Sequence, residues 1–82
     1  MKEYWYPAVF TLGRKISIWF PDFDAATSGE NYEDAIASAH KLLAVITQGI
    51  AEGGLSLPQP TLASAIPLDE NQITRVFKAV AA

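Results

Sequence analysis

Residues 31–54 carry the pattern of one long amphipathic helix. Asn31 is a good helix cap, because its side chain can accept a hydrogen bond from a free backbone N–H of the first turn. Glu33 and Asp34 follow at the positive end of the helix dipole. The Gly53-Gly54 pair predicts the C-terminal stop, so we expect a helix from Tyr32 to about Glu52. Apolar residues recur at helical spacing along one side of it, namely Tyr32, Ala35, Ile36, Ala39, Leu42, Leu43, Ile46 and Ile50.

The chain before this helix predicts a β-hairpin. Residues 4–12 are rich in aromatic side chains, which favour a strand. Gly13-Arg14 suits a two-residue type II′ turn. Residues 15–20 then alternate, with Ile16, Ile18 and Phe20 on one face. A hairpin with one apolar face is the partner that a helix with a single apolar stripe needs.

Two further strands complete the predicted fold. Residues 25–28 form a short extended segment before Gly29, and residues 57–60 form a stiff linker because of their two prolines. Residues 71–81 predict a last strand, with a short helix as the open alternative. The expected class is α+β: a three- to four-stranded antiparallel sheet with one long helix packed on one face, in the order β-β-β-α-β. We expect residues 1–82 to form a single domain.

Trp19 is expected to lie on the sheet face opposite the helix. A two-residue hairpin would place Phe10 and Tyr6 beside it, whereas a register shifted by one residue would place Trp5 and Val9 there. Either arrangement leaves large apolar side chains uncovered, and such patches usually mark association. We therefore expect a homodimer or tetramer that uses Trp5, Phe10 and Trp19. The alternative is that the linker and tail fold back over this face.

The distribution of charge favours a basic protein partner over nucleic acid. The net charge is −3, and residues 16–40 contain five acids without a lysine or arginine. Such a segment repels phosphates, whereas nucleic-acid binding usually needs a basic patch. An ordinary solvated acidic surface is the alternative.

Catalytic motifs are missing from the sequence. His40 has no nucleophile or carboxylate at a suggestive spacing, so a surface or partly packed role is expected. Asp22 and Asp24 form only a short turn pair, and the glycines match no phosphate-binding pattern. We expect no enzyme activity, metal or cofactor. The absence of cysteine and of a long apolar run predicts a cytoplasmic protein without a membrane segment.

Three segments in order resemble the HicB-like antitoxins. They are Tyr6-Pro7-Ala8-Val9-Phe10, Ile18-Trp19-Phe20-Pro21-Asp22-Phe23 and Gly29-Glu30-Asn31-Tyr32-Glu33-Asp34-Ala35. The Pro58-Gln59-Pro60 segment extends the resemblance, which covers roughly residues 4 to 60. Asp24-Ala25-Ala26 departs from the family's usual proline-glycine-cysteine continuation.

The resemblance implies a partial RNase H-like fold and the binding of a HicA-type toxin, a small basic ribonuclease that cleaves messenger RNA. The antitoxin would cover the toxin's RNA-binding and catalytic surface. Many family members add a DNA-binding module, but the 17 residues after Ala65 are too few for one, so direct DNA binding is not expected. The expected partner surface consists of Phe20, Pro21, Asp22, Phe23, Asp24, Glu30, Glu33 and Asp34. Because Asp22 and Asp24 are expected in a loop, reversing their charge should weaken toxin binding and leave the fold intact.

Overall fold

The computed structural model describes residues 2–81 as a four-stranded antiparallel sheet with one long helix packed against it. The spatial order of the strands is β3-β2-β1-β4, so β3 and β4 form the two edges. The α+β prediction and the order β-β-β-α-β are confirmed. The elements are β1 (Lys2–Thr11), β2 (Ile16–Phe20), β3 (Ala25–Gly29), α1 (Tyr32–Glu52), a 3-10 helix (Ala63–Ala65) and β4 (Gln72–Ala81).

The helix begins and ends where the sequence predicts. The Asn31 side chain accepts a hydrogen bond of 2.9 Å from the backbone N–H of Asp34. Gly53 caps the other end, and Gly54 has a φ of 75°, which favours glycine. The residues that α1 buries are mostly small, so the helix backbone lies close to the sheet; they are Ala35, Ala39, Leu43 and Thr47.

Gly29 lies where β3 and α1 approach most closely. A Cβ atom at this position would be 2.3 Å from the backbone N of Ala35 and 2.6 Å from its Cα. Neither contact can be relieved by rotating a side chain, because both atoms belong to the helix backbone. The space between the strand and the helix therefore admits only glycine here.

The hairpin register differs from the expected one. Four residues, 12–15, connect β1 to β2, so the prediction of a two-residue turn is wrong. Val9 pairs with Trp19, and Phe10 pairs with Ile18 on the helix side. Phe10 is completely buried and stacks on Phe77 at 6.0 Å, so its assignment to self-association is wrong. The longer loop shifts the register, and the alternative that places Val9 beside Trp19 is the observed one.

Pro7 explains why β1 and β2 pair over only a few residues. The Leu12 N–H donates to Asn71 O at 2.8 Å, so the even-numbered residues of β1 bond to β4 and the odd-numbered ones face β2. Pro7 has no N–H to give on the β2 side. The first half of β1 therefore pairs with β4 alone, while the β1–β4 ladder extends over ten residue pairs.

The chain between α1 and β4 binds back along the sheet. Leu57 is buried in the core, and the hydroxyl of Tyr6 donates to Pro58 O at 2.7 Å. The 3-10 helix contacts β4. Pro7 and Val9 are buried although the register places them on the face opposite α1. Part of the face opposite α1 is therefore covered.

Candidate functional site

Three carboxylates form an exposed surface where β3 ends and α1 begins. We call Glu30, Glu33 and Asp34 the acidic edge. All three side chains are exposed. Glu33 and Asp34 lie in the first turn of α1 after the Asn31 cap, and Glu30 directly precedes that cap. The acidic edge therefore places three negative charges around the start of α1.

Two lysines reach the same surface. Lys15 Nζ lies 3.3 Å from Glu30 Oε1, and both side chains are mostly exposed. Lys41 lines a shallow depression together with Glu30 and Asp34. Exposed ion pairs of this kind contribute little to stability and are screened by salt. The Lys15–Glu30 pair therefore adds little to stability.

The turn between β2 and β3 does not offer Phe20 to a partner. Phe20 is completely buried and packs edge-on against Phe77 at 5.7 Å, so its assignment to the partner surface is wrong. The reason is its position on the helix side of β2, two residues after the buried Ile18. Phe23 is half-buried against the Tyr6 ring at 4.7 Å, and Pro21 is half-buried too.

Asp22 holds the chain after α1 against this turn. Its Oδ1 accepts two hydrogen bonds from Thr61, from the backbone N at 2.9 Å and from Oγ1 at 2.7 Å. Asp22 Oδ2 is buried and has no donor within the described residues. The expectation that Asp22 can be reversed without harm to the fold is therefore wrong. Asp24 is exposed, has a φ of 48° and accepts a bond of 3.2 Å from Trp19 Nε1.

The predicted partner residues form two groups rather than one. Pro21, Phe23 and Asp24 precede β3, whereas the acidic edge follows it. A five-residue strand spans roughly 16 Å at about 3.3 Å per residue. A partner that contacted both groups would have to lie along the whole β3 edge.

A second exposed surface lies on the sheet face opposite α1, which we call the open face. Trp5 is 56% exposed, and Val76 and Val80 are 49% and 46% exposed. The register makes Val76 and Val80 diagonal neighbours of Trp5, whose ring lies 5.7 Å from Lys78 Nζ. The two valines were not among the predicted association residues, because the pairing of β4 with β1 joins distant segments and is not visible in the local sequence pattern.

Trp19 belongs to the same face but not to the same cluster. It is 42% exposed and pairs with Val9, which lies four residues along β1 from Trp5. Four residues of strand correspond to about 13 Å. The open face thus carries two separate aromatic positions.

His40 lies beside a groove between α1 and β4. The groove has a volume of about 480 Å³, and its lining includes His40, Thr47, Gln48, Lys78 and Ala79. The exposed imidazole meets the Phe77 ring edge-on at 4.9 Å. Within residues 2–81, no three His, Asp or Glu side chains cluster closely enough to hold a metal ion.

Tyr6 is the residue whose titration the fold alters most clearly. Burial raises the pKa of Tyr6 to about 12, and the nearby Tyr4 and Asp22 add to this effect. Because the pKa of Tyr6 is higher in the folded chain than in the unfolded one, the protonated hydroxyl stabilises the fold below pH 10. This stabilisation is lost as the pH rises from 10 towards 12.

We expect the free energy of unfolding to fall between pH 10 and 12 more steeply in the parent chain than in Tyr6→Phe. The variant lacks the hydroxyl that must ionise, although it also loses the bond to Pro58 O. Urea unfolding at pH 8 and pH 11 measures the difference. Equal losses for the two proteins would show that Tyr6 is not the titrating group.

None of the helices within residues 2–81 has the length and apolar character needed to span a bilayer. No protein-family model, curated protein or solved structure matches the chain.

Proposed function

We propose that this chain is an antitoxin-like binding module that neutralises a small basic toxin of the HicA type. The observation that carries the proposal is the acidic edge, where Glu30 precedes the helix cap and Glu33 and Asp34 lie in the first turn, all three exposed. The strand and helix order is the one that the HicB-like resemblance implies. The proposal combines this geometry with the motifs of residues 4–60.

Inhibition follows from competition for cationic side chains. A ribonuclease that binds RNA needs lysines and arginines to neutralise phosphates. Carboxylates of the acidic edge bind the same groups and occupy them. Charge complementarity of this kind speeds association and selects the partner. Pro21, Phe23 and Asp24 would extend the contact along β3.

The test is co-expression with any small basic protein that is encoded beside this gene, followed by affinity purification and growth rescue. We expect a stable complex that restores growth. Reversing two charges with Glu30→Lys and Glu33→Lys should weaken the complex by at least about tenfold, because two attractive contacts become repulsive.

The matched control reverses Asp69 and Glu70, which are exposed and lie outside the acidic edge. It changes the net charge by the same amount, so it should bind like the parent chain. Equal weakening in both double variants would mean that net charge, not the acidic edge, determines affinity. Failure of the parent chain to bind or to rescue growth would overturn the proposal.

The exposed apolar cluster favours a second candidate function. Trp5, Val76 and Val80 form an uncovered patch on one end of the open face. Such patches mark association surfaces. The second candidate is a homo-oligomeric interaction protein with a HicB-like fold and no toxin partner.

A further inference from the structure

β4 presents a row of backbone groups along one edge of the sheet. The Leu12–Asn71 bond fixes the alternation, so Ile73, Arg75 and Phe77 bond to β1. The N–H and C=O groups of the residues between them point away from β1. Gln72 is already engaged, because its N–H donates to Asp69 O. Four residues therefore direct their backbone groups towards the free edge: Thr74, Val76, Lys78 and Val80.

β4 is a long and regular edge strand, because its register with β1 runs over ten residue pairs without a bulge. Long edge strands are normally shortened, bulged or covered, because an open edge recruits another strand. β3, the other edge, is only five residues long, whereas β4 has ten. Val76 and Val80 are also about half-exposed along β4. β4 is thus the edge suited to receive a strand.

We propose that a second copy of this chain adds its β4 antiparallel to this one and forms a continuous eight-stranded sheet. The two-fold axis passes beside Phe77. Val76 then pairs with the partner's Lys78, and Thr74 pairs with the partner's Val80. This arrangement engages all four outward-facing residues of each copy.

Charge and hydrogen bonding select this register. Each face of the eight-stranded sheet continues from one copy to the other only when even-numbered residues of one β4 pair with even-numbered residues of the other. Centring on Arg75 or on Lys78 would place like charges directly opposite, which is destabilising. Centring on Val76 would require the backbone of Gln72, whose N–H is already bonded. The register centred on Phe77 avoids both problems.

The groove between α1 and β4 lies next to the position that the partner's Arg75 takes in this register. In this register the partner's Arg75 lies opposite Ala79, a groove residue. Its side chain would have to leave the Tyr32 hydroxyl of its own chain, to which Arg75 Nε donates at 2.9 Å, in order to reach the small groove residues Ala44 and Ala51. The last turn of α1 contains no basic residue and ends at Glu52. The negative end of a helix dipole favours a cation there. The groove therefore accommodates the guanidinium of a second copy.

The location of the acids also favours pairing at β4. The acidic edge adjoins β3, at the opposite side of the sheet. Two copies that meet at β4 keep these like charges as far apart as the sheet allows. Both acidic edges remain free for a basic partner. The inference rests on the self-association of the second candidate function and is compatible with the first.

The first experiment measures the mass of the full chain in solution and the effect of charge at Val76. We expect twice the monomer mass of 8.9 kDa. Val76→Lys places two lysine pairs across the seam and should raise the dissociation constant at least about tenfold. Val76→Glu places each new carboxylate opposite the partner's Lys78 and should keep the dimer. Val45→Lys, on an exposed helix position, is the matched control and should also stay dimeric.

Amide hydrogen exchange gives a second readout that needs no variant. The N–H groups of Thr74, Val76, Lys78 and Val80 should exchange fast on dilution and slowly at high concentration. Those of Ile73, Arg75 and Phe77 should be protected at both concentrations. A dimer without this alternation, or one insensitive to Val76→Lys, would refute the β4 interface but leave self-association intact. A monomer at high concentration would refute both, whereas the toxin-binding proposal would stand or fall on its own test.

Discussion

Gly29→Ala is expected to remove about 3 kcal/mol or more of the free energy of unfolding, a large part of what a small domain has. The new Cβ would lie 2.3 Å from the backbone N of Ala35 and 2.8 Å from the carbonyl carbon of Asp34. To relieve these contacts, α1 must move away from β3, and the packing of Ala35 and Ala39 is then lost. Urea unfolding followed by circular dichroism measures the loss.

Gly49→Ala is the matched control within the same helix. A Cβ at Gly49 meets nothing within 4 Å, so only the backbone preference changes. Alanine favours a helix interior over glycine by up to about 1 kcal/mol, so this variant should be more stable than the parent chain. If Gly29→Ala were as stable as Gly49→Ala, the close approach of β3 and α1 would be disproved.

Phe20→Ala is expected to cost about 3–5 kcal/mol, the range for removing a buried phenylalanine from a core. Phe20 is completely buried and contacts Phe77, which also packs against Phe10 and His40. The deletion therefore leaves a cavity beside Phe77, the residue that links the aromatic cluster. Thermal and urea unfolding measure this loss.

Trp19→Ala provides the comparison on the same strand. Trp19 faces away from α1 and is 42% exposed, so its removal should cost clearly less stability than the loss of Phe20. If a Phe20→Ala variant kept its stability but lost binding to a partner, the original assignment of Phe20 to the partner surface would be supported instead.

The helix was predictable because its signals are local. The Asn31 cap, the two acids and the apolar period lie within one segment of sequence. It was harder to predict which side chains of each strand face the helix, because a one-residue change in register exchanges the two faces of the strand. The four-residue loop reversed the expected position of Phe10. Loop length is a property of tertiary packing as well as of the turn residues.

The candidate site was predictable to the extent that it consists of exposed charge. Glu30, Glu33 and Asp34 are exposed because a helix start beside an edge strand leaves them in solvent. The role of Asp22 was not predictable, since its partner Thr61 lies 39 residues away in sequence. A loop carboxylate that binds a distant segment looks identical in sequence to one that is free.

The long ladder between β1 and β4 makes the order of assembly matter. It joins residues that are 61 to 79 positions apart, so β1 cannot complete its pairing until β4 has left the ribosome. Contacts between distant segments form slowly. The units β2, β3 and α1 follow one another directly and contact one another, so they can assemble while the chain is still being made. On a growing chain, the acidic edge would then form before β4 has been synthesised.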